Sequence, residues 1–482
     1  MNSVVRMTSV SMLALAAAAC STPTPVGIKP TDVPTAFTAP IPKDVQIWPS
    51  LTWWNNFTSS ELAGLESDAE QNNLDLAVAA AQVLQAQAQT GIAAAPLFPD
   101  IGLSASATRN GAEKGVGVGP GGAVKKAGNT FSFGGSASYV LDLWGEARDN
   151  LHAAQYTLRS SQFAQQTVAL TIQTSVADTY LNVLGLRQRI AIIQQNIDAA
   201  KRILVITQAK VTNGVSSNLD LAQQQAQLAQ QEAQLPGLQE QEREQRYALA
   251  ILLARVPEGF DVKGTTLDGI TPPLVAPGLP SELLARRPDV AGAEADLASA
   301  HASVDAARAA FFPQIGLTAS GGYSSPAISS LFNPSSVVWS IGASLLETIF
   351  NGGVHAAESD LAKARETQLV ATYRKTVLTA FSDTESSLGQ VAALADQQRL
   401  QEEEVRAAAE AFRISELQYR EGVTDLLAVL QSQQTLFTAE DQLVQTKQAR
   451  LEAVVGLYQS LGGGWTAAAT PELPDANPLR PF

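Results

Sequence analysis

Cys20 is the one thiol in a chain of 482 residues, and it stands directly after an apolar stretch at the N-terminus. Residues 10–19 are small and mostly apolar, and Arg6 is the only charge before them. An apolar core of about 7–15 residues ending in small side chains is the pattern of a secretory signal. A thiol placed at the cut is the atom that would accept a diacylglycerol and become the new N-terminus. A plain signal peptide cleaved nearby is the alternative, and Ala17, where lipid-accepting signals usually carry leucine, departs from their pattern. A single cysteine allows no disulfide within one chain. Other reactive groups are dispersed. His152, His301 and His355 are each isolated in helical sequence, with no His-x-x-x-His pair, cysteine pair or glycine-rich phosphate loop. Metal and catalytic sites need several such groups at set spacing, so these residues are not those of an enzyme. Arg286 and Arg287 beside Asp289 make a compact ionic cluster.

The remaining composition describes a scaffold. Residues 21–43 are rich in proline and threonine and behave as an extended tether. With 32 basic against 46 acidic residues, nucleic acid is not a partner. Beyond the signal no run approaches the roughly 18 apolar residues of a membrane-spanning helix, so any insertion into a bilayer must use strands.

The chain is written twice. Phe98-Pro99-Asp100-Ile101-Gly102-Leu103-Ser104-Ala105-Ser106 returns as Phe312-Pro313-Gln314-Ile315-Gly316-Leu317-Thr318-Ala319-Ser320, an offset of 214 that Asp75 and Asp289 share. Asp142-Leu143-Trp144 is answered by Thr348-Ile349-Phe350 at 206, and Asn213-Gly214-Val215 by Glu421-Gly422-Val423 at 208. Solenoid units run to roughly 20–50 residues, so this is a domain-sized duplication. Each half reads helix, strand, strand, very long helix, tight turn, helix.

Residues 145–213 hold no proline and one internal glycine, Gly185; residues 354–421 hold no proline and one glycine, Gly389. Both are dense in strong helix formers, and at 1.5 Å per residue each reaches about 100 Å. Val168, Ile172, Val176, Leu186, Ile190, Ile193 and Ile197 share one side of the first helix, and Leu170, Leu181, Leu184 and Ile192 lie roughly opposite. Two stripes suit a curved wall of helices better than a two-stranded rod. Shorter helices follow over 218–255, broken at Pro236, and 424–461; two others precede the strands over 59–94 and 281–310, the latter capped by Ser281. The glutamine run 223–230 reads as a solvated helix face.

Four segments alternate with period two: 101–108, 131–141, 315–320 and 341–345. Runs of about ten such residues mark transmembrane β-strands; four half-buried strands of a sandwich are the alternative, though no further strands supply a second sheet. Tyr139, Trp144, Tyr323 and Trp339 sit near strand ends, where interfacial aromatics collect. Linkers 110–130 and 324–337 are rich in Gly, Ser and Pro and read as outer loops. Four strands cannot close a barrel, and an open edge cannot lie in lipid; the chain must therefore oligomerise.

These features together resemble the outer membrane factor family, the TolC-type efflux ducts, in the lipoprotein branch similar to OprM and NodT. The resemblance is carried by Gly278-Leu279-Pro280-Ser281-Glu282-Leu283-Leu284-Ala285-Arg286-Arg287-Pro288-Asp289-Val290, by Phe98-Pro99 and Phe312-Pro313, by Phe350-Asn351-Gly352-Gly353, and by Leu457-Tyr458-Gln459-Ser460-Leu461-Gly462-Gly463-Gly464-Trp465. It implies a mainly helical, internally duplicated TolC-like fold, in which three chains share a twelve-stranded β-barrel continued by an α-barrel of long antiparallel helices. It implies a passive homotrimeric duct that exports small molecules, drugs or other toxic compounds. A periplasmic adaptor would dock on it, joined to an inner-membrane pump of RND type. The duct would sit in the outer membrane of a Gram-negative bacterium, lipid-anchored at Cys20 and extending into the periplasm, with no other cofactor; Ser21 agrees with outer-membrane delivery.

The family pattern divides the chain into a lipoprotein signal (1–19), a tether and equatorial segment (20–58), a first repeat (59–255), an equatorial linker (256–280), a second repeat (281–461) and an equatorial tail (462–482). It places adaptor-docking turns at Gly214, Val215 and Ser216 and at Gly422, Val423 and Thr424, and a periplasmic gate at Leu427, Gln431 and Gln434. OprM-like members carry aspartate and arginine where this chain has Gln431 and Gln434, so the resemblance implies a hydrogen-bonded or apolar gate, with Asp220 and Asp425 restoring some negative potential. A periplasmic adaptor lipoprotein is the alternative, but adaptors carry one helical hairpin and this chain has two.

Overall fold

The computed structural model describes residues 34–39, 48–111, 128–273, 275, 278 and 280–466. Cys20, the signal segment and residues 467–482 lie outside them. The first repeat holds α1 (Ser60–Asn72), α2 (Leu74–Ala94), β1 (Asp100–Asn110), β2 (Gly128–Leu141), α3 (Glu146–Thr212) and α4 (Asn218–Leu252). The second holds α5 (Pro288–Ala309), β3 (Gln314–Ser325), β4 (Val337–Leu346), α6 (Val354–Glu421) and α7 (Leu426–Ser460).

The long helices form as their composition dictates, with 67 residues in α3 and 68 in α6. Each starts after a glycine in the left-handed region, Gly145 at φ 91° and Gly353 at φ 87°, which only glycine adopts without strain. These glycines put the halves 353 − 145 = 208 residues apart, the offset of the tip glycines Gly214 and Gly422. Strand register agrees: Asp100 pairs with Ser138 and Gln314 with Leu346, which superpose only at offsets of 214 and 208. The offset of 206 drawn from Asp142-Leu143-Trp144 is therefore displaced by two. Pairing and caps decide equivalence, and Trp144 stands opposite Gly352.

Three helical expectations are corrected. The segment 59–94 divides at Asn73, whose extended backbone ends α1 and whose side chain accepts from Asp75 N (2.8 Å) and Leu76 N (3.0 Å) to start α2. Its amide also donates to Leu252 O (2.7 Å), tying the break to the end of α4. Ser281 caps nothing long: Pro280–Leu283 is a single turn, and α5 starts at Pro288 after Arg287. Pro236 does not break α4. It is exposed, and Leu235 and Leu238 on either side of it pack against Ile190, Ile193 and Ile197 of α3, holding the helix through the lost donor.

The four strands form one antiparallel sheet in the order β1-β2-β3-β4. Odd-numbered residues share one face, as the pairs Ile101↔Ala137, Ala137↔Ala319 and Ala319↔Ile341 show. That face carries Leu103, Phe133, Leu317, Trp339 and Leu345; the even face carries mainly Ser, Thr and Gly, with Val140, Val338 and Leu346 near the strand ends and hydroxyl pairs Ser106–Ser132 (2.7 Å) and Ser320–Ser340 (2.9 Å). An apolar face opposite a hydroxyl face is the lipid and lumen pair of a membrane barrel. Among the described residues no helix is long and apolar enough to cross a membrane. At the helix-side end Trp144 stacks on Phe312 (4.9 Å) and donates from Nε1 to Pro313 O (2.7 Å).

Trp53 is fully buried and stacked on Tyr458 (4.9 Å). Arg287, 9% exposed, reaches beyond the ionic cluster read from the sequence: it donates to Asp289 (2.6 Å), Asp383 (3.3 Å) and Ser460 O (3.3 Å), joining α5, α6 and the end of α7. Gly462 passes so close that an added Cβ would overlap the Arg286 carbonyl. On the other side Arg187 of α3 grips Glu242 (2.8 Å) and the linker carbonyls of Val262 and Gly264 (2.7 Å each). In α1, Glu66 is 1% exposed and neither carboxyl oxygen has a partner among the described residues; burial pushes it up to about 9, helped by Glu70 and Asp178, so it is uncharged at neutral pH.

Candidate functional site at the helix tips

Both long helices end in the same way. At the first tip Gly214 takes φ 72°, and the N–H groups of Val215 (2.8 Å) and Ser216 (3.3 Å) return to Lys210 O. Ser217 then caps α4 by accepting from Asp220 N (3.1 Å), while the Asp220 carboxylate accepts from Ser217 N (3.0 Å). The Ser216 hydroxyl, and after it the Ser217 N–H, hold the Asp220 carboxyl below the usual range. At the second tip Gly422 takes φ 78°, Val423 N returns to Gln418 O (2.8 Å), and Asp425 accepts from Ala428 N (3.0 Å). The two aspartates are thus helix caps, aimed into backbone N–H groups. Val215 and Val423, each about three-quarters exposed, are the apolar points of two rigid, similar turns.

Leu427 (54% exposed), Gln431 and Gln434 lie on one exposed strip of α7 at helical spacing. Gln434 accepts from Gln227 of α4 (3.3 Å) and donates to Thr438 (3.2 Å). Gln434 is therefore linked to α4 of the same chain. Lys210 lies over the Tyr419 ring (4.3 Å) and donates to the Tyr419 carbonyl, while Thr207 shares a 3.0 Å hydrogen bond with Tyr419 Oη. These contacts clamp the ends of α3 and α6 together.

The buried face of α7 is what sequence reading missed. Leu426, Val429, Leu436 and Phe437 pack with Ala199, Ile203, Ala408 and Phe412. Gln433 sits among them, fully buried, and neither its Oε1 nor its Nε2 has a partner. Gln224 of α4 is also fully buried; it donates to Ala200 O (2.8 Å) and its Oε1 is unpartnered. The run 223–230 is thus not wholly a solvated face. The signal was the spacing Leu426, Val429, Gln433, Leu436, which puts a glutamine in an apolar seam.

The histidines stay scattered: His301 contacts Glu366 (2.8 Å) and His355 contacts Glu358 (3.4 Å). No group of three or more metal-ligating side chains occurs among the described residues.

Residues 65–255 and 279–463 match the family model described as outer membrane efflux protein. The chain is 40% identical over 416 residues to the pyoverdine export outer membrane protein OpmQ of Pseudomonas aeruginosa, covering 86% of this chain and 87% of that protein. It is 38% identical over 459 residues to OpmQ of Pseudomonas putida, covering 94% and 97%. The open state of the MtrE outer membrane channel of Neisseria gonorrhoeae superposes with a TM-score of 0.83 at 27% identity, over 92% of this chain and 98% of that one.

A buried amide without partners costs about 1–3 kcal/mol. Gln433 is shut in by its own chain, so no neighbouring copy can satisfy it. Gln433→Leu is expected to slow amide hydrogen exchange across residues 426–440 by about tenfold for each 1.4 kcal/mol regained. Equal or faster exchange would show that the amide has partners in solution.

Proposed function

The chain belongs to the outer membrane efflux protein family and is the outer-membrane channel of a tripartite efflux system, and we propose that it works as a homotrimer sharing one twelve-stranded barrel. The observation that carries this reading is the difference between two equivalent helices. α3 packs against α2 and α5 along its strand-side half and against α4 and α7 towards its tip; α6 packs chiefly against α5 and α7 alone. Equivalence of the halves assigns the absent neighbours of α6 to α2 and α4 of the next copy. Leu361, Leu378 and Leu400 on α6, and Leu74, Val78, Leu84 and Ile92 on α2, are all more than half exposed and await such burial.

The same operation supplies the strand register between copies. Ala137 pairs with Ala319 inside the chain. Shifting these by 208 and 214 sets Leu345 against Ala105 of the partner subunit, and hence Ala343 against Ala107 of the partner subunit. Ala343→Cys with Ala107→Cys is expected to give disulfide-linked trimers in membranes under oxidation, and Ala343→Cys with Ala105→Cys far fewer. Linked dimers only, or preference for the shifted pair, would reject the arrangement.

The two tip turns are proposed to dock a periplasmic adaptor joined to an RND-type inner-membrane pump, which supplies the energy and selects the cargo; the duct does no chemistry of its own. The reading of the chain as an adaptor itself is set aside, because the family match spans both repeats. The exposed strip Leu427-Gln431-Gln434 is proposed to narrow the tip, where three leucines exclude water. Three aspartates there would hydrate the ring and repel at about 4 kcal/mol per pair at roughly 4 Å and an effective dielectric near 20. Leu427→Asp is expected to raise conductance in planar bilayers and cell permeability to large antibiotics, with Gln431→Ala doing less. Folded Leu427→Asp trimers that conduct like the parent would move the constriction elsewhere.

Lipid attachment at Cys20 follows from its place in the sequence. Intact mass of membrane-purified protein should show Cys20 as an acylated N-terminus; an unlipidated N-terminus elsewhere would refute it. Cys20→Ala should still assemble, since the barrel holds the duct in the membrane.

A further inference from the structure

The segment between β3 and β4, residues 326–336, is uncharged and contains Ile328, Leu331 and Phe332. It is not loose. Two single 3-10 turns, Ile328–Ser330 and Pro334–Ser336, shape it. Ser325 Oγ and Ser330 Oγ share a hydrogen bond (2.7 Å), Ser336 Oγ donates to Ser330 O (2.8 Å), and Ala327 N donates to Ser325 Oγ (3.3 Å).

Its direction is set by one ring. Phe332 meets Tyr323 edge-on at 5.4 Å and Phe133 at 5.9 Å. Phe133 and Tyr323 are a cross-strand pair and both are odd-numbered, so they stand on the apolar face of the sheet. The segment therefore folds back over that face and not over the hydroxyl face that lines the lumen. Leu331 is buried beneath it (7% exposed), while Ile328 (69%) and Phe332 (66%) remain open. Trp339 (75%) and Ile341 (79%), on the same face of β4, are exposed as well, and Phe332 reaches that face through Tyr323, the partner of Val337.

We infer that residues 326–336 form a membrane-interface foot, with Ile328 and Phe332 seated at the boundary of acyl chains and headgroups in the outer leaflet. The occupant is lipid because Phe332 is seated on Phe133 and Tyr323 of the face that meets lipid. Aromatic side chains settle at that depth, and an uncharged segment enters it without stripping water from an ion. The channel mouth is left uncovered by this loop. The inference rests on the reading that the odd-numbered face lies in the bilayer, and the controls below separate the two.

In a Cys20→Ser background, single cysteines at Phe332, Ile341 and Ser344 would carry an environment-sensitive fluorophore in phosphatidylcholine vesicles. Vesicles would be prepared with or without lipid bearing a nitroxide near the headgroup. The label at Phe332→Cys is expected to emit blue-shifted light and be quenched by the nitroxide lipid, like that at Ile341→Cys. The label at Ser344→Cys, on the even face, should respond to aqueous iodide instead. Phe332→Ala is expected to leave conductance within about twofold of the parent, since removing a group beside the pore changes little of its electrostatics or width. Quenching at Ile341→Cys but not at Phe332→Cys would overturn the foot alone. Absence of lipid quenching at both would overturn the assignment of the face. A rise in conductance with Phe332→Ala would make the segment a cover of the pore, and protection of the label only by an added protein would make it a protein-docking loop.

Discussion

A backbone group placed in hydrocarbon must find its partner within the protein, and the sheet of this chain leaves two edges open. Most of the architecture answers that demand. The edges of β1 and β4 are complementary because the chain is a duplication: what β2 offers β3 inside one copy, β4 offers the next β1. The helices inherit the same incompleteness. α3 is enclosed by its own chain and α6 is not, so assembly that closes the barrel also completes the helical wall. Membrane insertion, oligomerisation and the conduit are one problem with one solution.

Much of this was readable in the residues. Proline-free stretches announced α3 and α6, and period-two alternation announced all four strands, whose two faces were then fixed by the register. Reading failed where backbone geometry outweighs side-chain likeness. Asp142-Leu143-Trp144 resembles Thr348-Ile349-Phe350, yet caps and register pair it two residues further on. Asn73 breaks a helix because its side chain can replace backbone partners on one side and hold Leu252 O on the other. Pro236 is tolerated because packing on both sides outweighs one missing hydrogen bond. Gln433 hid within the glutamines of 431–434, where composition suggests solvent and only its phase in the seam reveals burial.

The contrast between the two ends of α7 bears on how a conduit can be both firm and able to open. Near the repeats' junction the helix is held by Tyr458 against Trp53 and by Arg287 at Ser460. Near the tip it is held through a seam interrupted by an unsatisfied amide. A segment with poorly satisfied buried groups is among the first to separate locally. Leu427, Gln431 and Gln434 are thus carried on the part of the helix whose seam holds the unpartnered amide of Gln433, while its other end is tied into the junction of the repeats.

The halves differ by 214 residues up to β1 and β3, and by 208 from β2 and β4 to the tips. The six-residue difference falls between paired strands, where the first half has residues 111–127 and the second 326–336. From β2 and β4 to the ends of α4 and α7 the copies have kept the same spacing, because each long helix must reach the same height as its counterpart in a ring of alternating halves. An insertion in α3 would need a matching one in α6. The difference in length between the halves is therefore confined to the links between paired strands, and the buried machinery is left with a ruler it cannot change on one side alone.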